Sequence, residues 1–322
     1  MTFEVTVHER RVEAQGVVCL DLRPQSGQAA LPPFSAGAHV DVELPLGKGP
    51  PLLRQYSLCN DPAETHRYVI GVSRDAASRG GSAALCDQIK AGDTLRISAP
   101  RNNFALAEQA ADSVLIAGGI GITPLLAMAR RLSQLGRRWT LYLCARTPER
   151  AAFLAEAQRL PGAVIPVFDG LPGAAPLDLA AAVASAPPAA HLYCCGPEPM
   201  LRAFEQACAG RDPATVHVEW FRPPTPAPGQ AGEDRLFTVN LQRTGRSLSV
   251  PAGTSILDVL LAAGIDVPHS CCDGVCGTCE TRVLAGQPDH RDAVLLGEDA
   301  KTQGRLMVCV SRCVGDTLTL DL

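Results

Sequence analysis

The strongest chemical signal is a nine-residue run, Cys271-Cys272-Asp273-Gly274-Val275-Cys276-Gly277-Thr278-Cys279, with Cys309 thirty residues further on. Taken as Cys271, Cys276, Cys279 and Cys309, the spacing is C-x4-C-x2-C plus a distant cysteine, the plant-type pattern for a [2Fe-2S] cluster. Three thiolates would wrap one side of two irons, and backbone N–H groups must point at the sulfurs to offset the cluster's negative charge. Gly274 and Gly277 allow the tight, partly left-handed loop this approach needs. A structural zinc ion is the alternative, but zinc sites more often use paired short spacings with similar loops on both sides. Substituting Cys272 for Cys271 would shorten the first gap to three residues, so Cys272 and Cys313 are expected to be non-ligating thiols.

A second group of residues suits a dinucleotide. Ala117-Gly118-Gly119-Ile120-Gly121-Ile122-Thr123-Pro124 joins an apolar run to a helical pattern. Glycines at a strand end let a pyrophosphate approach the backbone, and the helix start supplies free N–H groups. Pro124 suits the first helical position. The third glycine of G-x-G-x-x-G is missing, so a tight strand–helix turn without a ligand remains open. Cys194-Cys195-Gly196-Pro197 follows another strand and falls at the carboxyl edge of the same sheet, where ligands collect; a buried small residue at a strand end is the competing account of Cys195. Earlier in the chain, alternation puts Arg54 and Tyr56 on one side of a strand and Gln55 and Ser57 on the other. An arginine for a phosphate and a tyrosine for a planar ring would suit a flavin nucleotide, and Arg79-Gly80-Gly81-Ser82 opens a short helix that could receive an anion. Taken singly, Arg-x-Tyr-Ser reads more simply as an exposed strand bearing a tyrosine.

The elements needed to position these residues are legible in outline. Short alternating runs at Glu4–Val7, Val40–Leu44, Leu53–Leu58, Tyr68–Val72 and Thr94–Ser98, separated by turn-rich pieces such as Gly47–Pro50, predict an antiparallel barrel or sandwich of about six strands. One helix, near Ser82–Lys90, interrupts it. Buried strands then alternate with helices: Ser113–Ala117, a helix with Leu125, Leu126, Met128, Ala129, Leu132 and Leu135 at helical spacing, Thr140–Cys144, Val164–Val167 and His191–Cys194. That alternation implies a parallel α/β sheet. Pro- and Gly-dense sequence between Arg222 and Asp234 is a semi-rigid linker. After it come a strand at Phe237–Leu241 and a helix at Ser255–Ala263, with Thr254 or Ser255 as its cap and Asp258 in its first turn. The expected division is 1–104, 105–222, a linker at 223–234, and 235–322.

Composition removes several function classes. The 322 residues suit two or three small domains. Apolar runs such as Val114–Ala117 and Val259–Ala263 fall far short of the ~20 residues of a membrane span. The charged start argues against a signal peptide, so the expected location is cytoplasmic, with no membrane partner. A net charge of −4 argues against nucleic acid. The segment 234–322 holds eleven Asp and Glu against eight Lys and Arg, a mild acidic bias of −3. Of the 13 cysteines, five are scattered and eight crowd into three places, which points to metal or redox chemistry rather than a disulfide framework.

Arg54-x-Tyr56-Ser57, Gly118-Gly119-x-Gly121-x-Thr123-Pro124, Cys195-Gly196-Pro197 and the cluster loop, in this order, resemble the phthalate dioxygenase reductase family, relatives of ferredoxin–NADP⁺ reductase with a plant-type ferredoxin domain at the C-terminus. The resemblance spans essentially the whole chain. It implies an FMN-binding antiparallel β-barrel, an NAD-binding α/β domain and a β-grasp ferredoxin domain. FMN, rather than FAD, would have its phosphate held by Arg54 and the Gly80-Gly81-Ser82 turn. Gln55 falls within the same motif, Tyr56 would lie against the ring and Ser57 near its reactive edge, and Gly71, Val72 and Ser73 would border it. Phe221, with Trp220 as rival, would cover the flavin's other face. Gly119, Gly121, Thr123, Cys195, Gly196 and Pro197 would take the nicotinamide nucleotide. Arg146 and Glu149, after the second strand, pull in opposite directions on NADPH against NADH, and the resemblance favours NADH. The activity implied is that of an iron–sulfur flavoprotein in aromatic hydrocarbon catabolism, carrying electrons from nicotinamide through FMN and the [2Fe-2S] cluster to a Rieske-type oxygenase. No side chain is needed as an acid or base in the hydride step. A stand-alone flavin or quinone reductase, and a zinc-stabilised interaction protein on a degenerate scaffold, are the other readings.

Overall fold

The structure, a computed structural model, describes residues 2–25, 27, 30–44, 51–75, 80–224, 234–295 and 304–322. The expected turn at Gly47–Pro50, Arg79 and most of the proline-rich linker lie outside them. The chain divides into two compact units, Met1–Glu219 and Trp220–Leu322.

The first unit opens with a six-stranded antiparallel sheet: β1 (Thr2–Ala14), β2 (Val17–Pro24), β3 (His39–Leu44), β4 (Leu52–Ser57), β5 (Tyr68–Ser73) and β6 (Thr94–Ser98), in the order β4-β3-β6-β1-β2-β5. An antiparallel bridge between Leu58 and Ile70 joins the two edges and closes the barrel. Alternation fills it: Val5, Val7, Leu20, Leu22, Val40, Val42, Ile70, Val72, Leu95 and Ile97 point inward. Helix α1 (Gly81–Asp87) ends earlier than its sequence pattern suggests. The Lys90 N–H is taken by the Asp93 carboxylate at 2.8 Å, and Gly92, at φ +94°, turns the chain into β6.

Strand β2 escapes a reading based on alternation because both its faces are buried. Val18, Leu20 and Leu22 fill the barrel, while Val17 and Cys19 join a second core. Asp21 is buried as well, with its carboxylate held by Arg23 and Arg67.

That second core belongs to a five-stranded parallel sheet formed by β7 (Asp112–Gly118), β8 (Arg138–Ala145), β9 (Ala163–Phe168), β10 (His191–Cys195) and β11 (Val216–Glu219), in the order β11-β10-β7-β8-β9. Helix α2 (Ile122–Gln134) follows β7; α3 (Leu154–Ala157), α4 (Leu179–Ser185) and α5 (Glu198–Ala207) complete the crossovers. Leu125, Leu126, Met128, Ala129 and Leu132 of α2 share one core with Val17, Cys19, Cys59 and Val69 of the barrel, so the two sheets form a single unit. Leu135 caps α2 rather than continuing it: Gly136, at φ +64°, gives its N–H to Ser133 while Arg137 gives its own to Leu132, a glycine-terminated helix end. Pro124 is the third helical residue, not the first, still within the turn whose N–H groups have no intrahelical acceptor.

The second unit is a mixed sheet in the order β13-β12-β18-β14-β16, built from β12 (Phe237–Leu241), β13 (Arg246–Val250), β14 (Glu280–Ala285), β16 (Arg305–Met307) and β18 (Thr317–Leu320), with a two-stranded piece of β15 (Pro288–Asp289) and β17 (Arg312–Cys313). Helix α6 (Ile256–Ala262) lays Ile256, Leu257 and Leu260 into a core with Val239, Val250, Leu306, Leu318 and Leu320. Ser255 caps it in a reciprocal capping box with Asp258. This is the β-grasp arrangement.

Candidate redox sites

In the first unit, the parallel sheet reverses its direction of growth between β7 and β10, and the crevice outside the carboxyl ends of such strands is where ligands sit. The glycine loop and the Cys195-Gly196-Pro197 turn meet there. Cys195 pairs with Ala117 across the two strands. A Cβ on Gly121 would stand 2.1 Å from the Cys195 carbonyl oxygen, and one on Gly118 would stand 2.5 Å from the Pro197 ring. These glycines are what allow the two turns to touch. Gly119 differs: it takes φ +56°, and a Cβ there would meet nothing within 4 Å, leaving open space beside the loop.

Thr123 gives its hydroxyl to the Ile120 carbonyl and is itself buried. Its methyl lies 2.8 Å from where a Cβ on Gly71 would stand, so the loop rests directly on strand β5 of the barrel. The bulk that would separate the two domains is missing at one residue. Val72 is buried and Ser73 partly exposed beyond it.

On β4, the Arg54 stem lies against Gly81, where a Cβ would approach its Cγ to 2.8 Å. The structure thus brings together Arg54 and the Gly80–Ser82 turn, with Gly80 at φ +103°. Ser82 accepts the Asp75 N–H at 3.2 Å. Tyr56 packs on the barrel core, its hydroxyl pushed above the usual range by burial, and Ser57 is buried. Gln55 turns the other way and donates to the Asp41 carboxylate at 2.7 Å. Arg146 is largely exposed after β8 and pairs with Asp169 at 3.2 Å.

Cys195 is fully buried, and its thiol is raised well above the usual range by that burial. It lies 3.9 Å from a carboxylate oxygen of Glu219, the residue opposite it on β11. Enclosure pushes the Glu219 carboxyl up to about 8. Sequence reasoning considered only the aromatic residues of this segment and missed Glu219. Its signal was an acid closing a short strand beside the Cys195 turn.

In the second unit four sulfurs converge. Cys271 is in hydrogen-bond contact with both Cys276 and Cys309, and Cys279 with Cys309. Those contacts lower Cys271 and Cys279 and raise Cys276 and Cys309. The spacing of the four cysteines, C-x4-C-x2-C with a distant fourth, suits two irons better than one zinc. The Asp273 and Val275 N–H groups point at the Cys271 sulfur, the first at 3.4 Å. Gly274 at φ +71° and Gly277 at φ +73° make the loop possible, and a Cβ on Gly274 would collide with Val310 at 2.6 Å. Cys272 is exposed, and Cys313 lies 3.3 Å from the Thr317 carbonyl. Asp292, buried behind the loop, accepts from Ser311 and from the Val294 and Leu295 N–H groups, while Ala293 donates to the Gly274 carbonyl. Phe221, at the start of this unit, is 40% exposed and Trp220 is buried.

A flavin barrel, a parallel nucleotide-binding sheet and a four-cysteine β-grasp domain define a three-part iron–sulfur flavoprotein reductase. Residues 239–314 match the model of the 2Fe-2S iron-sulfur cluster binding domain. The chain is 50% identical over 316 residues to phenoxybenzoate dioxygenase subunit beta of Ectopseudomonas oleovorans, covering 98% of this chain and 96% of that one. It is 41% identical over 325 residues to tetrachlorobenzoquinone reductase of Sphingobium chlorophenolicum, covering 100% and 98%. A solved structure of phthalate dioxygenase reductase, described as a modular structure for electron transfer from pyridine nucleotides to [2Fe-2S], matches at a TM-score of 0.71 and 40% identity over 100% of this chain and 98% of that one. The protein belongs to the phthalate dioxygenase reductase family, the reductase components of oxygenase systems. Among the described residues no helix is long and apolar enough to cross a membrane.

Proposed function

We propose that the chain is the NADH-dependent reductase of a two-component oxygenase system, passing electrons through FMN and a [2Fe-2S] cluster to a Rieske-type oxygenase in the cytoplasm. The observation that carries this reading is the contact of the nucleotide loop, at Thr123, with strand β5, at Gly71, in a chain that also bears the four-sulfur loop. When bound, a flavin accepts two electrons as hydride and gives them up singly, which is what connects a nicotinamide to a one-electron cluster.

In this reading residues 1–104 hold FMN, 105–222 hold the nucleotide, 223–234 link, and 235–322 hold the cluster. Arg54, with Gly80, Gly81 and Ser82, holds the flavin phosphate; Tyr56, Ser57, Gly71, Val72 and Ser73 border the ring. Phe221 covers its other face. Gly119, Gly121, Thr123, Cys195, Gly196 and Pro197 shape the nicotinamide pocket and exclude water from it. Cys271, Cys276, Cys279 and Cys309 ligate the irons. Gln55, in the same motif, joins the flavin site, its amide anchored to the Asp41 carboxylate at 2.7 Å. Asp169 opposite Arg146 favours NADH, because an added 2′-phosphate would meet a carboxylate as well as the guanidinium. A Rieske acceptor is energetically reasonable, since plant-type clusters lie near about −400 mV and Rieske centres at roughly −150 mV or above.

The likeness to tetrachlorobenzoquinone reductase supports a second reading, direct reduction of a quinone-type acceptor. Steady-state NADH oxidation with a purified Rieske oxygenase and its substrate, compared with a benzoquinone, separates the two. Tight coupling to the oxygenase and slow quinone turnover are expected. Fast turnover with the quinone and none with the oxygenase would reverse the assignment.

A further inference from the structure

Phe153 has a backbone that a bulky residue rarely adopts. It lies at φ +59°, in the left-handed region, as the residue before α3, and is one of only two non-glycine residues at positive φ among those described. Such strain persists only where the surroundings over-determine it, and it gathers at sites where geometry matters. Here the surroundings come from both domains of the first unit. The Phe153 N–H donates to the Glu13 carboxylate at 3.0 Å, from the end of barrel strand β1. Arg11, on the same strand, bonds Glu13 at 2.9 Å and Glu156 of α3 at 2.6 Å; Arg130 of α2 bonds the other Glu156 oxygen at 2.7 Å. The Gln15 N–H donates to the Glu149 carbonyl at 2.8 Å. The hairpin end of the barrel is thereby clamped to the segment that carries Phe153.

The clamp aims the ring. Phe153 is buried, and its Cε2 stands 2.8 Å from where a Cβ on Gly71 would be, the same distance as the Thr123 methyl. Ring, methyl and β5 backbone therefore meet at one point. We propose that Phe153 is a positioning residue for hydride transfer: wedged beside Gly71 and Thr123, it sets the separation between the strand that borders the flavin and the loop that seats the nicotinamide. The proposal rests on the flavin and nicotinamide assignments given above. Hydride transfer is steep in donor–acceptor distance, so a loosened wedge acts on the rate of the step more than on nucleotide affinity.

The test is anaerobic stopped-flow reduction of the whole loaded protein by NADH, read as the limiting rate of flavin bleaching, the NADH Kd, and the long-wavelength absorbance of the nicotinamide–flavin complex before bleaching. Phe153→Ala is expected to keep its flavin, weaken that band and lower the limiting rate roughly tenfold or more, with Kd changed less than about threefold. An unchanged rate and band, or a change confined to Kd, would overturn the proposal. Should Phe153→Ala lose its flavin, the pair Gly71→Ala and Gly71→Ala/Phe153→Leu carries the test. Adding a Cβ should slow reduction, and the smaller side chain should recover the part of the loss that comes from the ring, the Thr123 methyl still standing 2.8 Å from the new Cβ; a double variant no faster than Gly71→Ala would also overturn it. Cys195→Ala serves as the control. If it slows reduction while the Phe153 variants do not, only the wedge is wrong; if none of them affects reduction, the site assignment is wrong.

Discussion

The cluster loop and the crevice proposed for the nicotinamide are built in opposite ways. The loop takes three of its four proposed ligands from nine residues and tightens locally around Gly274 and Gly277. The crevice is assembled from the ends of β7, β10 and β11, the strand β5 and the residue before α3, spread over most of the first unit. A locally coded site depends on a few irreplaceable side chains. An assembled one depends on close approach of backbones, so its defining residues are largely those with little or no side chain.

The largest expected difference follows from this contrast. Cys309→Ser should lose the cluster absorption and electron delivery to an external acceptor, while FMN content and NADH-driven flavin reduction stay near wild type; visible spectra and stopped-flow bleaching check both halves. A normal cluster in that variant would remove Cys309 from the ligand set. Gly121→Ala tests the crevice. With the Cys195 carbonyl 2.1 Å from the new Cβ, the turns must part. Destabilisation of about 1–3 kcal/mol is expected, together with slower flavin reduction and unchanged cluster absorption, measured by denaturant unfolding and stopped flow.

A smaller effect is tied to pH. Burial raises the Glu219 carboxyl from 4.5 to about 8, so the folded state holds a proton that the unfolded state releases. Its contribution is complete below about pH 4.5 and is lost as pH rises toward 8. Against Glu219→Gln, the wild type should therefore lose thermal stability progressively across that window. A melting-temperature difference that is flat with pH would contradict a proton-holding carboxyl. The smallest effect belongs to Cys272, exposed at φ +54° beside the proposed ligand Cys271. Cys272→Gly relieves the left-handed backbone and should raise stability by up to about 1 kcal/mol, with the cluster spectrum unchanged. A changed spectrum would make Cys272 part of the ligand environment.

The same contrast governs what could be read from the chain. The cluster loop was legible because its chemistry is contiguous and its glycines announce their conformation. The parallel sheet was legible from its alternation of strand and helix, and the cap of the last helix to within one residue, Thr254 or Ser255, of which the structure uses Ser255. Strand β2 was not, because Cys19 and Asp21 are buried on the face that ordinarily meets water. Glu219 and Phe153 were not, because what singles them out is a partner far away in sequence: Cys195 across two strands, Glu13 across two domains. Gln55 sits inside a recognisable motif, yet its amide serves Asp41.

The central claim, that one chain joins a hydride-accepting flavin to a one-electron cluster, is tested most directly by anaerobic titration of the purified protein with NADH, and then NADPH, followed by visible absorption. The account predicts flavin and cluster bands that bleach together at about one and a half NADH per protein, three electrons over the two centres, with NADPH far less effective. Bands that neither nucleotide bleaches, or a colourless zinc-containing protein after cofactor reconstitution, would contradict it.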